Sequence, residues 1–212
     1  MMKNTEWGAC AYLSSSKYGK TDSSGNRVRV YNNPYYNNTT NYSPITGLSG
    51  KTATQTNNDT TTDLYKYNTT EGVNASTSGN VYGIYDMAGG AWEYVAGYLS
   101  KITALTNYTT LASVDPKYKD VYAGNSSDRT TNYNANTGKY GDAVYETSSS
   151  GYSGVGSWDS GCSDFPISSY PVFSRGGLAS DGSSAGVFAF DNHSGGAGTY
   201  LSFRPVVLSS QP

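Results

Sequence analysis

The sequence predicts one α+β domain of short strands, few helices and long loops. Three observations carry that expectation. At 212 residues the chain is long enough for one well-buried core, so residues 1–212 form a single domain. A helix-like stretch opens the chain. From Tyr170 onward, short strand-like runs alternate with glycine-rich turns to the C-terminus.

The elements follow in order. Residues 4 to 18 predict the opening helix, with Asn4 or Thr5 as N-cap and Trp7, Ala11, Leu13 and Tyr18 as its apolar face. Gly19 stops it. Arg27 to Tyr31 alternates and reads as a short strand. Residues 37 to 80 are mostly Thr, Asn, Ser and Gly without periodicity, and read as a polar surface insertion, not a linker between two cores. Asn80 to Val95 is the densest apolar segment. It predicts a buried turn leading into a strand that holds Trp92 and Tyr94. Asp115-Pro116 predicts a short helix that Asp caps, Pro begins and Gly124 ends. Lys139 to Thr147 reads as another short helix or as an extended stretch. Trp158 to Cys162 reads as loop.

Composition excludes several functions. The net charge is −2 at pH 7, so no basic field exists to hold phosphates, and nucleic acid is not an expected partner. No apolar run approaches the roughly 18 residues that span a bilayer. Met1 to Glu6 is not followed by an apolar stretch and does not read as a signal peptide. Only 14% of residues are charged, while Tyr alone numbers 21 and Ser, Thr, Asn and Gly abound. Tyr, Ser, Gly and Asn also favour adaptable binding surfaces. Cys10 and Cys162 either join in one disulfide or stand as two free buried thiols, and neither has metal-site spacing.

The last forty residues are the most informative. Two bookends, Phe173-Ser-Arg-Gly-Gly177 and Ser202-Phe-Arg-Pro-Val206, enclose LASDGSSAGVFAFDNHSGGAGTYLS. Gly176, Gly177, Gly182 and Gly195 permit turns closed to other residues. Phe188, Phe190 and Phe203 are expected to anchor strands in the core. Period-two alternation places Ala189 opposite Phe188 and Phe190, so with both Phe inward it faces out. Arg175 and Arg204 are expected to bind loop carbonyls. The residues between these fixed points look chemically interchangeable, which suits a binding surface better than a catalytic site.

These motifs resemble a known family. Gly83-Ile-Tyr-Asp-Met-Ala-Gly-Gly-Ala-Trp-Glu-Tyr94 resembles the G-x-Y-D-M-x-G-N-V-W-E-W signature of the formylglycine-generating-enzyme branch of the C-type lectin fold. Arg175-Gly-Gly177 and Ser202-Phe-Arg-Pro205 are similar to two further signatures of that branch. The nearest resemblance is to the variable proteins of diversity-generating retroelements. Lys3 to Ala9 and Ala11 to Leu13 resemble an opening that recurs in such proteins of gut bacteria and their phages. Roughly residues 20 to 78 fall outside the resemblance.

The resemblance implies a variable region around residues 176 to 206. In that family a reverse transcriptase alters adenines, usually in AAC or AAT codons, which can then encode many residues but never Lys, Glu, Gln, Met or Trp. Those five types occur 21 times in this chain, and none lies between residues 176 and 210. An even spread would place about four there. A segment rich in Ser, Gly and Ala also tends to lack bulky residues, so composition alone accounts for part of this gap.

Enzymatic readings find little support. The oxidases of this branch use paired cysteines near the C-terminal end of the fold, yet no cysteine follows Cys162 and Cys10 lies at the other end. Gly90 replaces the Asn of the signature, which weakens any inherited calcium site. The E-P-N, Q-P-D and W-N-D motifs of calcium-dependent sugar binding are missing, and Trp158-Asp-Ser160 is a faint echo of the last. No cofactor, no metal site and no catalytic residue is therefore expected; calcium bound elsewhere in the fold stays open as an alternative without a motif to support it. His193, the single histidine, has no evident partner, and Asp181 and Asp191 read as ligand contacts rather than an acid–base pair.

The expected function is binding, through Leu178, Ala179, Asp181, Ser184, Ala189, Asp191, Asn192, His193, Gly196, Gly198, Tyr200 and Leu201. The expected partner is a protein or glycan on a target cell, met outside the cell by a chain displayed in many copies on a phage particle or bacterial surface. The alternative is a structural or adhesive surface protein of the same fold without diversification. An oxidase of the formylglycine-generating type comes third.

Overall fold

The computed structural model describes residues 1–28, 68, 72–100, 108–148, 156–178, 181 and 184–207. Its architecture is α+β: one twisted five-stranded sheet with short helices around it. Strand β1 (Trp92–Leu99) lies at the centre. Strand β2 (Asp120–Tyr122) runs parallel to its second half, pairing Gly97 with Asp120. Strand β5 (Leu201–Phe203) runs parallel to its first half, pairing Trp92 with Leu201. On the other side β3 (Val172–Gly176) is antiparallel to β1, and β4 (Gly186–His193) is antiparallel to β3. Both bookends therefore become strands beside β1.

Helix α1 (Asn4–Ser14) packs on this sheet. Lys3, not Asn4 or Thr5, is its N-cap. The Glu6 carboxylate accepts the Lys3 backbone N–H at 2.8 Å, and Asp120 on β2 accepts the N–H of Thr5, also at 2.8 Å. Asn4 instead turns inward and donates to the Tyr122 hydroxyl at 2.6 Å. Trp7 and Ala11 are buried as expected, but Leu13 and Tyr18 are exposed. The helix ends at Ser14, before the predicted stop. Gly19 still has a steric reason: a Cβ there would stand 1.8 Å from the Ser14 carbonyl oxygen, where the chain folds back.

Gly8 explains how closely α1 seats. A Cβ at that position would meet the Asp142 carbonyl carbon at 2.4 Å and the Gly141 oxygen at 2.6 Å. Helix propensity alone favours Ala over Gly by about 1 kcal/mol. The backbone collision outweighs that gain, so Gly8→Ala is expected to destabilise the domain by about 2 kcal/mol. Urea unfolding followed by tryptophan fluorescence checks this, and a stabilised variant would refute the close packing.

The buried core joins Trp7, Met87, Val95, Leu99, Tyr122, Phe165, Phe173, Phe188 and Phe190. Tyr122, Phe165 and Phe173 form an aromatic group, with Tyr122 and Phe173 centroids 4.6 Å apart. Such contacts add to simple area burial.

Other expectations change in detail. Arg27 forms an isolated bridge with Thr21, while residues 29 to 31 of the predicted strand lie outside the described residues. The insertion at 37–80 lies outside them except for residues 68 and 72–80. Within the 80–95 segment Met87 and Ala88 are buried, but Val81, Tyr82 and Ile84 are exposed. The Asp115 cap holds, accepting the Lys117 N–H at 2.9 Å, but its helix is a single 3₁₀ turn, Pro116–Tyr118, followed by β2. Residues 139–147 form bends and turns, neither helix nor strand. Two short helices, α2 (Tyr108–Ser113) and α3 (Arg129–Asn134), are additions to the expected elements. Asp128 caps α3 through the Thr131 N–H at 2.7 Å.

Candidate functional site

The terminal segment is held by two arginines. Arg175 on β3 is fully buried, and its guanidinium donates to the carbonyls of Asp142 at 3.1 Å and Ala143 at 3.4 Å. It also lies 5.9 Å from the Trp7 ring centroid and 5.7 Å from that of Phe190. Arg204 donates to the Tyr85 and Asp86 carbonyls, each at 3.2 Å, and pairs with Glu93, with Nε 2.7 Å from the carboxylate. The second bookend is thereby clamped to the Tyr-Asp-Met turn. Both arginines bind loop carbonyls as the sequence suggested.

The turn after β3 is tight. Gly176 and Gly177 have φ of 91° and 84°, and a Cβ on Gly177 would stand 2.6 Å from Ala185. Only glycine fits such a position without strain. Gly182, read as a further turn glycine, lies outside the described residues. Phe188 and Phe190 are buried in the core, but Phe203 is 62% exposed and anchors nothing.

β4 carries the site. Its odd-numbered side chains share one face, and Asp191 and His193 on that face reach a depression of about 510 Å³. Leu178 and Asp181 from the turn after β3, Ser184 before β4 and Tyr200 before β5 complete its predicted members. Six of the twelve predicted contact residues thus meet in one hollow. Trp92 at the start of β1 and Cys162 also line it.

The other six positions divide. Ala189 is wholly buried, contrary to expectation. Residues 162–164 pair with the outer edge of β4 through Phe190 N–H to the Cys162 carbonyl at 2.9 Å, and neighbouring Gly161 lies against the Ala189 backbone. Asn192 is also buried, its amide donating to the Phe165 carbonyl at 3.3 Å, so it acts as a structural brace rather than a contact. Gly196 is exposed, and a Cβ there would stand in ordinary contact with the Ser194 hydroxyl at 3.6 Å, but it borders a separate, mostly apolar hollow between α1, β1 and α2. Gly198 and Leu201 are half-buried, and a Cβ on Gly198 would touch the Leu201 side chain at 3.0 Å. Ala179 lies outside the described residues.

Trp92, His193 and Tyr200 bring aromatic rings to the depression, and Tyr94, outside its lining, packs against His193. The His193 ring centroid lies 6.3 Å from Trp92, 5.8 Å from Tyr94 and 6.1 Å from Tyr200. The Tyr94 hydroxyl also donates to the Gly196 carbonyl at 2.8 Å, tying the loop before β5 to β1. The sequence reads Trp92 and Tyr94 as strand residues, not as part of the site. Their i, i+2 spacing is the available signal, since it puts both on one face of β1.

Burial dominates the electrostatics. It pushes the Asp191 carboxyl up to about 6, against the Asn192 N–H that it accepts at 2.6 Å, and the Asp164 and Asp181 charges add to the rise. Burial also raises Asp181, whose carboxylate accepts the Leu178 N–H at 2.7 Å. It lowers His193, so the ring is neutral at pH 7. Cys162 is pushed up to about 12 by burial and the nearby aspartates, which keeps the thiol protonated and unreactive. Cys10 and Cys162 are both free thiols. Among the described residues of the hollow, no nucleophile is joined to an activating base. No protein-family model, curated protein or solved structure matches this chain.

Proposed function

We propose that this chain is a ligand-binding domain of the C-type lectin fold, formylglycine-generating-enzyme-like branch, whose C-terminal surface is diversified by a retroelement. One observation carries the reading. Six residues picked from the sequence as interchangeable line a single solvent-open hollow, while Arg175, Gly177, Phe188 and Phe190 of the surrounding frame are buried. A rigid frame beneath a changeable surface lets substitution alter the ligand without altering the fold. The gap in Lys, Glu, Gln, Met and Trp across residues 176–210 supports the same reading.

The partner is a protein or glycan on a target cell, and the chain meets it from a phage particle or bacterial surface. Leu178, His193 and Tyr200 supply the bulk in the hollow. So small a contact binds weakly as one copy and gains strength through display in many.

A substitution series tests the division of labour. Changes at Leu178, Ser184, His193 and Tyr200 are expected to shift stability by about 0.5 kcal/mol or less while altering ligand choice. Ala189→Leu, by overpacking, and Asn192→Ala, by orphaning buried groups, are each expected to cost about 1–3 kcal/mol. Thermal unfolding with panning of each variant against surface proteins and glycans reads both effects. Equal destabilisation across the two sets would remove the binding surface from this segment. A neighbouring template repeat and reverse-transcriptase gene would establish the diversification, and close relatives that vary at framework positions instead would defeat it.

A further inference from the structure

We propose that the hollow beside β4 receives an organic cation, an ammonium or guanidinium on an apolar stem; this rests on the binding reading above and names its ligand class.

The charge balance comes first. Asp181 and Asp191 both line the hollow, and neither forms an ion pair with Lys or Arg among the described residues. The nearest basic group acting on Asp191, Arg129, is already paired with Asp164. Among the described residues of the lining there is no Lys or Arg, and His193 is neutral. Partly buried carboxylates without a counter-charge cost free energy that an incoming cation offsets.

The walls add an independent argument. Trp92, His193 and Tyr200 present aromatic groups to the same space. Aromatic faces attract ammonium and guanidinium groups within about 6 Å of the ring centroid, most strongly where water is excluded. Nε2 of His193 is buried and has no hydrogen-bond partner. In the tautomer that carries its proton on Nδ1, this nitrogen accepts a donor from the ligand.

Charge separates this from a neutral sugar site. Among the described lining residues the charged groups are the two acceptor carboxylates, and the side-chain donors are the Ser184 and Tyr200 hydroxyls, the Trp92 indole N–H and one N–H of the neutral His193 ring. The nearest amide, Asn192, is turned away onto the Asp164 and Phe165 carbonyls. A sugar hydroxyl needs donors and acceptors together, whereas a cationic head brings donors alone.

The test exploits the single histidine, whose ring signals are unambiguous in an NMR spectrum. The full chain is titrated at pH 7.5 with n-butylammonium, N-ethylguanidinium and choline, and separately with 1-butanol and neutral methyl glycosides. Saturable shifts of the His193 signals with the cations, and not with 1-butanol, are expected, with dissociation constants on the order of millimolar. The first two probes mimic Lys and Arg side chains and the third a choline group, so their ranking assigns the source. Asp191→Asn is expected to weaken cation binding by about tenfold, and its unfolding curve shows whether it is folded. Glycosides that shift His193 while cations do not, or no response to any probe, overturn the proposal. A cell-surface partner recovered by panning in the face of that failure would leave the binding reading intact and remove only the ligand class.

Discussion

Arg175→Ala is expected to destabilise the domain by about 3–5 kcal/mol, the range for removing one member of a buried charged network. The guanidinium is fully buried and lies where four parts of the chain meet. Its own strand pairs it with Phe190 of β4 and Glu93 of β1. Its side chain holds the Asp142 and Ala143 carbonyls in place and lies over the Trp7 ring of α1. Asp142 in turn accepts from the Tyr122 hydroxyl, which accepts from Asn4. Alanine would leave two carbonyls without a donor, a buried carboxyl without its neighbouring charge, and a cavity. Arg175→Lys is expected to recover little, because one ammonium cannot reproduce a planar fork onto two carbonyls. Guanidinium unfolding of both variants checks this, and a loss below about 1 kcal/mol for either would show that the network closes without the fork. Burial already lowers the Arg175 pKa to about 10, so neutralising it below pH 9 is not a route to relief.

The frame was more legible in the sequence than the site. The dense apolar run exposed β1, short runs between glycine-rich turns exposed β3 and β4, and the Asp-Pro pair marked its turn, because each signal is local. The partners of β1 were not visible: its parallel pairing with β2 and β5 depends on residues far along the chain. The helices α2 and α3 are six residues each, too short for an apolar period to stand out. Ala189 shows the limit most clearly. Period-two alternation correctly set it opposite Phe188 and Phe190, but alternation does not say what covers the second face. Here the 161–164 segment closes over β4 and buries it. Trp92 escaped notice as a site residue for the converse reason. It is 4% exposed and looks like core, yet it lines the hollow.

Asp191→Asn is expected to stabilise the protein above pH 6 while weakening its grip on cations. In the unfolded chain the carboxyl ionises near its ordinary value of 3.8, whereas in the fold it ionises at about 6. The folded state therefore holds the proton more tightly. Its contribution to stability is full below pH 3.8 and is lost as pH rises through about 6. Asparagine keeps an acceptor for the Asn192 N–H and does not titrate. The variant should match the wild type near pH 4 and exceed it by up to about 3 kcal/mol at pH 8, less where solvent reaches the carboxylate. Asp181, Asp164, Cys162, His193 and Arg129 surround the group and remain in both proteins. Unfolding midpoints measured from pH 4 to pH 8 give the comparison, and a less stable variant at pH 8 would mean that the carboxylate has a stabilising partner in the fold. A carboxylate kept where it weakens the fold fits selection for recognition rather than stability. Under the retroelement reading the contrast is sharper, because AAC and AAT encode asparagine. An unaltered codon at this position would specify the amide, and Asp191 is then a change that exchanges stability for a charge facing the ligand.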